Sequence, residues 1–183
     1  NIRNSEYRFS PLVIGLHWLT VLLIIAVYAS MELRGVAPKG SALRDAMKSL
    51  HYLLGLSVLV IVVIRIGVRI QAGVKPAIQP PMPRWQATLA DGMHYALYSF
   101  MLAMPLLGWL TLSAAGKPIV LFGLPVPSLI GTDVALSRQL KDVHEALATL
   151  GYVLIGLHAM AALLHHYVMR DNTVVRMLPG RRP

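Results

Sequence analysis

Residues 19–27 read LTVLLIIAV, and residues 56–64 read LSVLVIVVI. Neither run carries the polar stripe at 3.6-residue spacing that marks a helix on the surface of a soluble protein. Both are apolar on every side, which argues against a soluble four-helix bundle. Working outward, residues 12–31 contain no Asp, Glu, Lys or Arg, and residues 50–64 contain none either. The second apolar run resumes after Arg65 as far as Ile70, and two more uncharged stretches cover residues 92–116 and 146–169. A helix needs about 20 predominantly apolar residues to cross a bilayer. The sequence therefore predicts an all-α, integral membrane four-helix bundle. It reads as a single four-span domain over residues 1–183, with spans at approximately 11–34, 48–70, 88–115 and 140–169.

Composition agrees. Hydrophobic residues make up 56% of the 183 and charged residues 14%, where a soluble domain carries about 45–50% and about 25%. That deficit of charge leaves too little to cover a water-facing surface, and the apolar content excludes intrinsic disorder. With no cysteine, a disulfide scaffold and a CxxC site are excluded as well. The formal net charge of +9 has a membrane explanation, because basic residues at span ends meet anionic headgroups. No motif that reads nucleic acid accompanies it.

Punctuation marks the span ends. Ser10-Pro11 reads as a cap followed by a first-turn proline, and Gly35 and Pro38 close the first span. Four prolines between Gly73 and Arg84 force an irregular connector. Gly116-Lys117-Pro118 ends the third span, and Ser137 is the expected cap of the fourth. Four spans place both termini on one side, with Arg3, Arg8, Arg65, Arg69, Lys75, Arg84, Arg170, Arg176, Arg181 and Arg182. The other side has Arg34, Lys39, Arg44, Lys48, Lys117, Arg138 and Lys141. Ten against seven predicts cytoplasmic termini by the positive-inside rule.

Seven histidines accompany these spans: His17, His51, His94, His144, His158, His165 and His166. Ionisable groups inside a membrane are costly and rare, so each is a functional candidate. His144 and His158 lie 14 residues apart, about four helical turns and a rise of about 21 Å. They share a face and approach opposite membrane surfaces. At matching depths His51 pairs with His144 at the outer surface, and His17 with His158 at the inner one. Zinc prefers three or four close ligands. Two separated histidine pairs suit two b-type haems, whose flat faces fit an apolar bundle. His165 is seven residues beyond His158, shares its face, and competes with it on depth as the partner of His17. The larger weight falls on His158. His94, His165 and His166 are quinone candidates on the inner side, with the membrane interface as the alternative setting for the last two.

The ordered set of short motifs resembles the bacterial cytochrome b561 family, which includes the membrane-bound superoxide oxidase. It comprises Leu16-His17-Trp18, His51, the proline-rich connector, Leu121-Phe122-Gly123-Leu124-Pro125 and His144-Glu145. Gly156-Leu157-His158-Ala159, His165-His166-Tyr167 and Asp171-Asn172-Thr173 complete it, so the resemblance covers nearly the whole chain. It implies a four-helix bundle in the bacterial inner membrane, with two haem b groups held by His17, His51, His144 and His158. In the superoxide oxidase branch, electrons pass from periplasmic superoxide to ubiquinone. Related b subunits instead take electrons from a protein partner, and usually add a fifth span or longer contact segments. Neither is seen in these 183 residues.

An anionic substrate gains from a positive entrance. Arg44, Lys48, Lys117, Arg138 and Lys141 are the entry candidates on the outer side, with headgroup or propionate contacts as the alternative. Arg65 follows His51 by 14 residues, shares its face, and reaches the inner site as a propionate partner, with snorkelling to the interface as the alternative. The competing functions are a haem-bearing subunit that serves a dehydrogenase or soluble cytochrome, and a transporter or structural protein that uses histidines for packing.

Overall fold

The uncharged runs fold as helices because lipid offers the backbone no hydrogen-bond partners, so each segment must satisfy its own. In a computed structural model that describes residues 2–180, four long helices account for most of the chain: α1 (Pro11–Arg34), α2 (Ala42–Gln71), α3 (Arg84–Ala114) and α4 (Val134–Tyr167). All four are long and apolar enough to cross a membrane. Their outward surfaces are apolar: Leu22 is 64% exposed, Ile25 60% and Leu163 52%. In water such a surface would drive aggregation; against acyl chains it is the matched surface. Arg181 and Arg182, counted above among the basic residues, lie outside the described residues.

The helix ends follow local chemistry. Ser10 Oγ accepts the N–H of Val13 at 3.3 Å, ahead of Pro11. At the end of α3, the N–H of Gly116 donates to the Ser113 carbonyl and that of Lys117 to Leu112, a Schellman closure with Gly116 at φ +64°. The expected cap of α4 is corrected. Asp133 Oδ1 accepts the Leu136 N–H at 2.9 Å, while Ser137 Oγ donates to the Thr111 carbonyl at 3.0 Å. A carboxylate ahead of the first turn is the better partner for the orphan N–H groups and the helix dipole.

One element has no counterpart in the span reading. Between α3 and α4, β1 (Ile119–Leu121) and β2 (Leu124–Val126) pair antiparallel, with Val120 opposite Pro125. Phe122 and Gly123 turn the chain, both at positive φ.

The described chain forms two compact units. One comprises residues 2–18, 63–100 and 150–180, and the other residues 19–62 and 101–149. Each contains a segment of all four helices. In the second unit the core gathers Leu56, Leu112 and Ile119, with Tyr52, Trp109, Leu121 and Val126 against them. Tyr28 donates its hydroxyl to the Ala148 carbonyl at 2.8 Å, joining α1 to α4.

In the first unit, residues 171–180 form a strap that includes a 3₁₀ turn, Val175–Met177. Trp18 Nε1 donates to the Met177 carbonyl at 2.7 Å. Arg8 donates to the carbonyls of Leu178 and Gly180, and Arg176 to that of Pro76. The backbones of Asn172 and Gln79 are hydrogen-bonded, and Asn172 Oδ1 accepts the Gln79 N–H at 3.0 Å. The strap is thereby tied to the start of α1 and to the α2–α3 connector.

Candidate functional site

Two pairs of imidazoles converge, one in each unit. In the unit containing residues 19–62, His51 from α2 and His144 from α4 have ring centres 6.2 Å apart, with planes at 80°. In the other, His17 from α1 and His158 from α4 are 6.5 Å apart at 64°. An iron held by two imidazoles lies about 2 Å from each nitrogen, and each ring centre about 1 Å behind it, so the centres should be about 6 Å apart. Both spacings fit that arrangement. His144 Nδ1 is buried with the Met104 backbone as its polar neighbour, which turns the opposite edge of the ring, with Nε2, to any ligand. Gly108 lies beside this ring, and a Cβ there would come within 3.5 Å of His144 Cε1. Among the described residues, no group of three or more His, Cys, Asp or Glu could hold a bare metal ion.

The surroundings of the two pairs differ. His51 Nδ1 is 3.2 Å from the Val27 carbonyl, to which it donates, and 3.5 Å from Ser30 Oγ. Ser30 donates to the same carbonyl at 2.7 Å and is buried. This partnership orients the ring and leaves Nε2 free to ligate a metal. His17 Nδ1 instead faces Arg65 Nη2 at 3.3 Å. Arg65 and Arg69 both lie over the Tyr98 ring, at 5.5 and 5.6 Å from its centre. Arg65, read from the sequence as a propionate partner, therefore touches a histidine directly. Ser30, the Val27 carbonyl and Tyr98 did not emerge from the sequence. A small polar residue in an apolar span was the available signal for Ser30.

His94 joins the second cluster. Its ring centre is 5.4 Å from that of His158, and its Nδ1 donates to the Ala90 carbonyl at 2.6 Å. Beside it is a cavity of about 380 Å³ lined by Arg69, Asp91, His94, Tyr95 and Tyr98, with Ile66 and Ile70. His165 is held elsewhere: its Nδ1 is 2.6 Å from Asp171 Oδ2, while Asp171 Oδ1 accepts the Thr173 N–H at 2.8 Å. Burial pushes the Asp171 carboxyl up, but hydrogen bonds from Thr173 and His165 outweigh it and hold the group below its ordinary value. His166 contacts the Tyr167 ring edge-on, with centres 4.8 Å apart.

Three of the five cationic entry candidates have partners. Arg44 donates to the carbonyls of Arg34 and Ala37, closing the end of α1. Lys48 pairs with Asp45 and Lys141 with Glu145, at 2.8 and 2.7 Å. Lys117 and Arg138 form no ion pair among the described residues.

Apolar helices bearing histidine pairs at bis-imidazole spacing define a membrane protein of the kind that binds b-type haem. Comparison with known sequences places it further. The profile of the prokaryotic cytochrome b561 family matches residues 8–180. Cytochrome b561 homolog 1 of Escherichia coli (strain K12) is 41% identical over 175 residues, spanning 96% of this chain and 99% of that protein. The probable superoxide oxidase CybB of Yersinia pestis is 39% identical over 175 residues, spanning 96% and 98%. Cytochrome b561 homolog 2 of Escherichia coli (strain K12) is 28% identical over 176 residues, spanning 96% and 93%. The chain belongs to the prokaryotic cytochrome b561 family, and is a b-type haem protein of membrane electron transfer.

Proposed function

We propose that the chain is a superoxide:ubiquinone oxidoreductase. It would form one four-span domain of the bacterial inner membrane, with both termini in the cytoplasm. The observation that carries the redox reading is the pair of bis-imidazole spacings, 6.2 and 6.5 Å. His51 and His144 would ligate one haem b, and His17 and His158 the other. When bound, the haems supply one-electron carriers with no need for a protein radical. The narrower choice of superoxide draws on the relative named as a probable superoxide oxidase, 39% identical along nearly the full length.

In the net reaction two superoxide anions each lose one electron and leave as dioxygen. Ubiquinone takes those two electrons and two protons to become the quinol. The chain's own residues bind and steer. Lys117 and Arg138 supply positive charge for the incoming anion, a contribution that salt screens. On the acceptor side, the cavity beside His94 has the mixed lining that a quinone head and its apolar tail require. His94 donates Nδ1–H to Ala90, which leaves its Nε2 free as a polar contact. Tyr95 and Tyr98 add hydroxyl groups, and Arg69 a fixed charge.

The test is direct. Purified, haem-loaded protein is given a superoxide source, and the haem absorbance is followed. Reduction by superoxide, then reoxidation on adding ubiquinone, is the expected course. Lys117→Gln with Arg138→Gln slows the first phase and flattens its salt dependence. Haems that stay oxidised until a dehydrogenase or soluble cytochrome is added would establish the electron-transfer-subunit reading instead.

A further inference from the structure

We infer that Arg65 raises the reduction potential of the His17–His158 haem above that of the His51–His144 haem, and so gives electron flow its direction. The inference rests on the dihaem reading above. The four ligands are the same residue type, so asymmetry comes from what surrounds them, both the partners of their other ring nitrogens and the fixed charges nearby. His51 Nδ1 donates to a carbonyl oxygen at 3.2 Å, with the Ser30 hydroxyl at 3.5 Å. An oxygen acceptor on the free N–H makes the imidazole a more basic ligand. A more basic ligand favours the oxidised, more positive iron and lowers its potential.

His17 has the opposite neighbour. A guanidinium has donors and no acceptor, and it remains charged throughout the accessible pH range. Arg65 Nη2 lies 3.3 Å from His17 Nδ1, so no oxygen acceptor strengthens this ligand there; a ring that ligates through Nε2 keeps its proton on Nδ1 and accepts nothing from the guanidinium, whose effect is its charge. Fixed against the site, that positive charge disfavours the oxidised iron. An apolar bundle screens that charge poorly. Arg69, over the same Tyr98 ring, adds a second cation.

Among the described residues, no carboxylate forms an ion pair with Arg65 or Arg69. Asp91 is paired with Lys75. At the other site Glu145, next to His144, is paired with Lys141. Arg34 acts on His51 from a distance, whereas Arg65 touches the His17 ring at 3.3 Å and has Arg69 beside it over Tyr98. The net effect makes the His51–His144 haem the donor and the His17–His158 haem the acceptor, matching a path that ends at the cavity beside His94.

Redox titration of the purified holoprotein, followed in the haem absorbance, tests this. His144→Ala assigns the steps, because it removes one haem and leaves the other to titrate alone. The remaining haem should match the upper step of the wild type. Arg65→Met should move that upper step down by at least a tenfold change in equilibrium constant, 59 mV for one electron, and leave the lower step in place. Arg65→Lys should restore most of the shift, and Ser30→Ala should raise only the lower step. The inference is overturned if the haem remaining in His144→Ala matches the lower step, or if Arg65→Met moves neither step or both equally. Should Arg65→Met fail to assemble, the order of the steps in His144→Ala decides alone. Protein that binds no haem would instead refute the functional reading.

Discussion

Removing the Asp171 carboxylate should loosen the strap and cost the protein a definite amount of stability. The side chain is 4% exposed, accepts from His165 at 2.6 Å and from the Thr173 N–H at 2.8 Å. Hydrogen bonds to a charged group contribute about 1.5–3 kcal/mol each. In Asp171→Ala both are lost, and both donors must find water. His165 is 17% exposed, so partial rehydration holds the total near the lower end, about 3 kcal/mol. For a chain of this size each kcal/mol moves the thermal midpoint by about 2–4 °C, which gives a fall on the order of 10 °C. The assay is thermal unfolding of the detergent-solubilised holoprotein at one fixed scan rate, since membrane proteins rarely unfold reversibly. His165→Ala and the double variant complete a cycle, in which the two single shifts of the midpoint should sum to more than the shift of the double variant.

The pH dependence supplies the second arm. The folded Asp171 has a pKa below its ordinary 3.8. Its contribution is therefore fully present above the unfolded value and disappears as pH falls through the folded one. Wild type and Asp171→Ala should differ at neutral pH and converge in strong acid. A midpoint within 2 °C of wild type at neutral pH would refute the reasoning. So would additive effects of His165→Ala and Asp171→Ala, because the pair would then carry no mutual energy.

Two further outcomes are expected. His144→Ala and His158→Ala should each halve the haem content measured by pyridine haemochromogen, whereas His165→Ala should keep both haems; loss of haem in His165→Ala with retention in His158→Ala would reassign the ligand. Gly116→Ala should destabilise by about 1–2 kcal/mol for its left-handed backbone, and further because the new Cβ would meet Thr132 Oγ1 at 3.1 Å. Gly123→Ala, at φ +82° with nothing within 4 Å, should incur the backbone cost alone, and equal losses from the two would show that Thr132 yields freely.

What was legible in the sequence was periodic or compositional. Residues 19–27 and 56–64 are apolar all round, and only a lipid solvent makes such helices stable, so the spans could be read without any tertiary knowledge. The 14-residue separation of His144 and His158 likewise follows from helix geometry alone. Contacts made by the chain returning from far away have no such period. Asn172 meets Gln79, 93 residues away, through its side chain, and Arg8 reaches Gly180, 172 residues away. Three-residue strands are too short to show alternation, which is why the hairpin before α4 was not anticipated. Arg44 illustrates a different limit. It counts as a surface charge in any tally of the outer side, yet its guanidinium is used by the Arg34 and Ala37 carbonyls at the end of α1.

The same distinction explains why the histidines look equivalent in sequence and are not so in space. Helical spacing fixes the face on which an imidazole emerges, and hence which histidine it meets. It does not fix what stands behind the ring, because that depends on how neighbouring helices are rotated. His51 has a carbonyl behind it that Ser30 also binds, while His17 has a guanidinium. In the dihaem reading proposed above, this difference is what orders the two sites as donor and acceptor. Transplanting it should therefore reverse the order: a protein carrying Arg65→Met together with a cation introduced beside His51 would hold its electron on the wrong haem, and would reduce quinone slowly although both haems were bound.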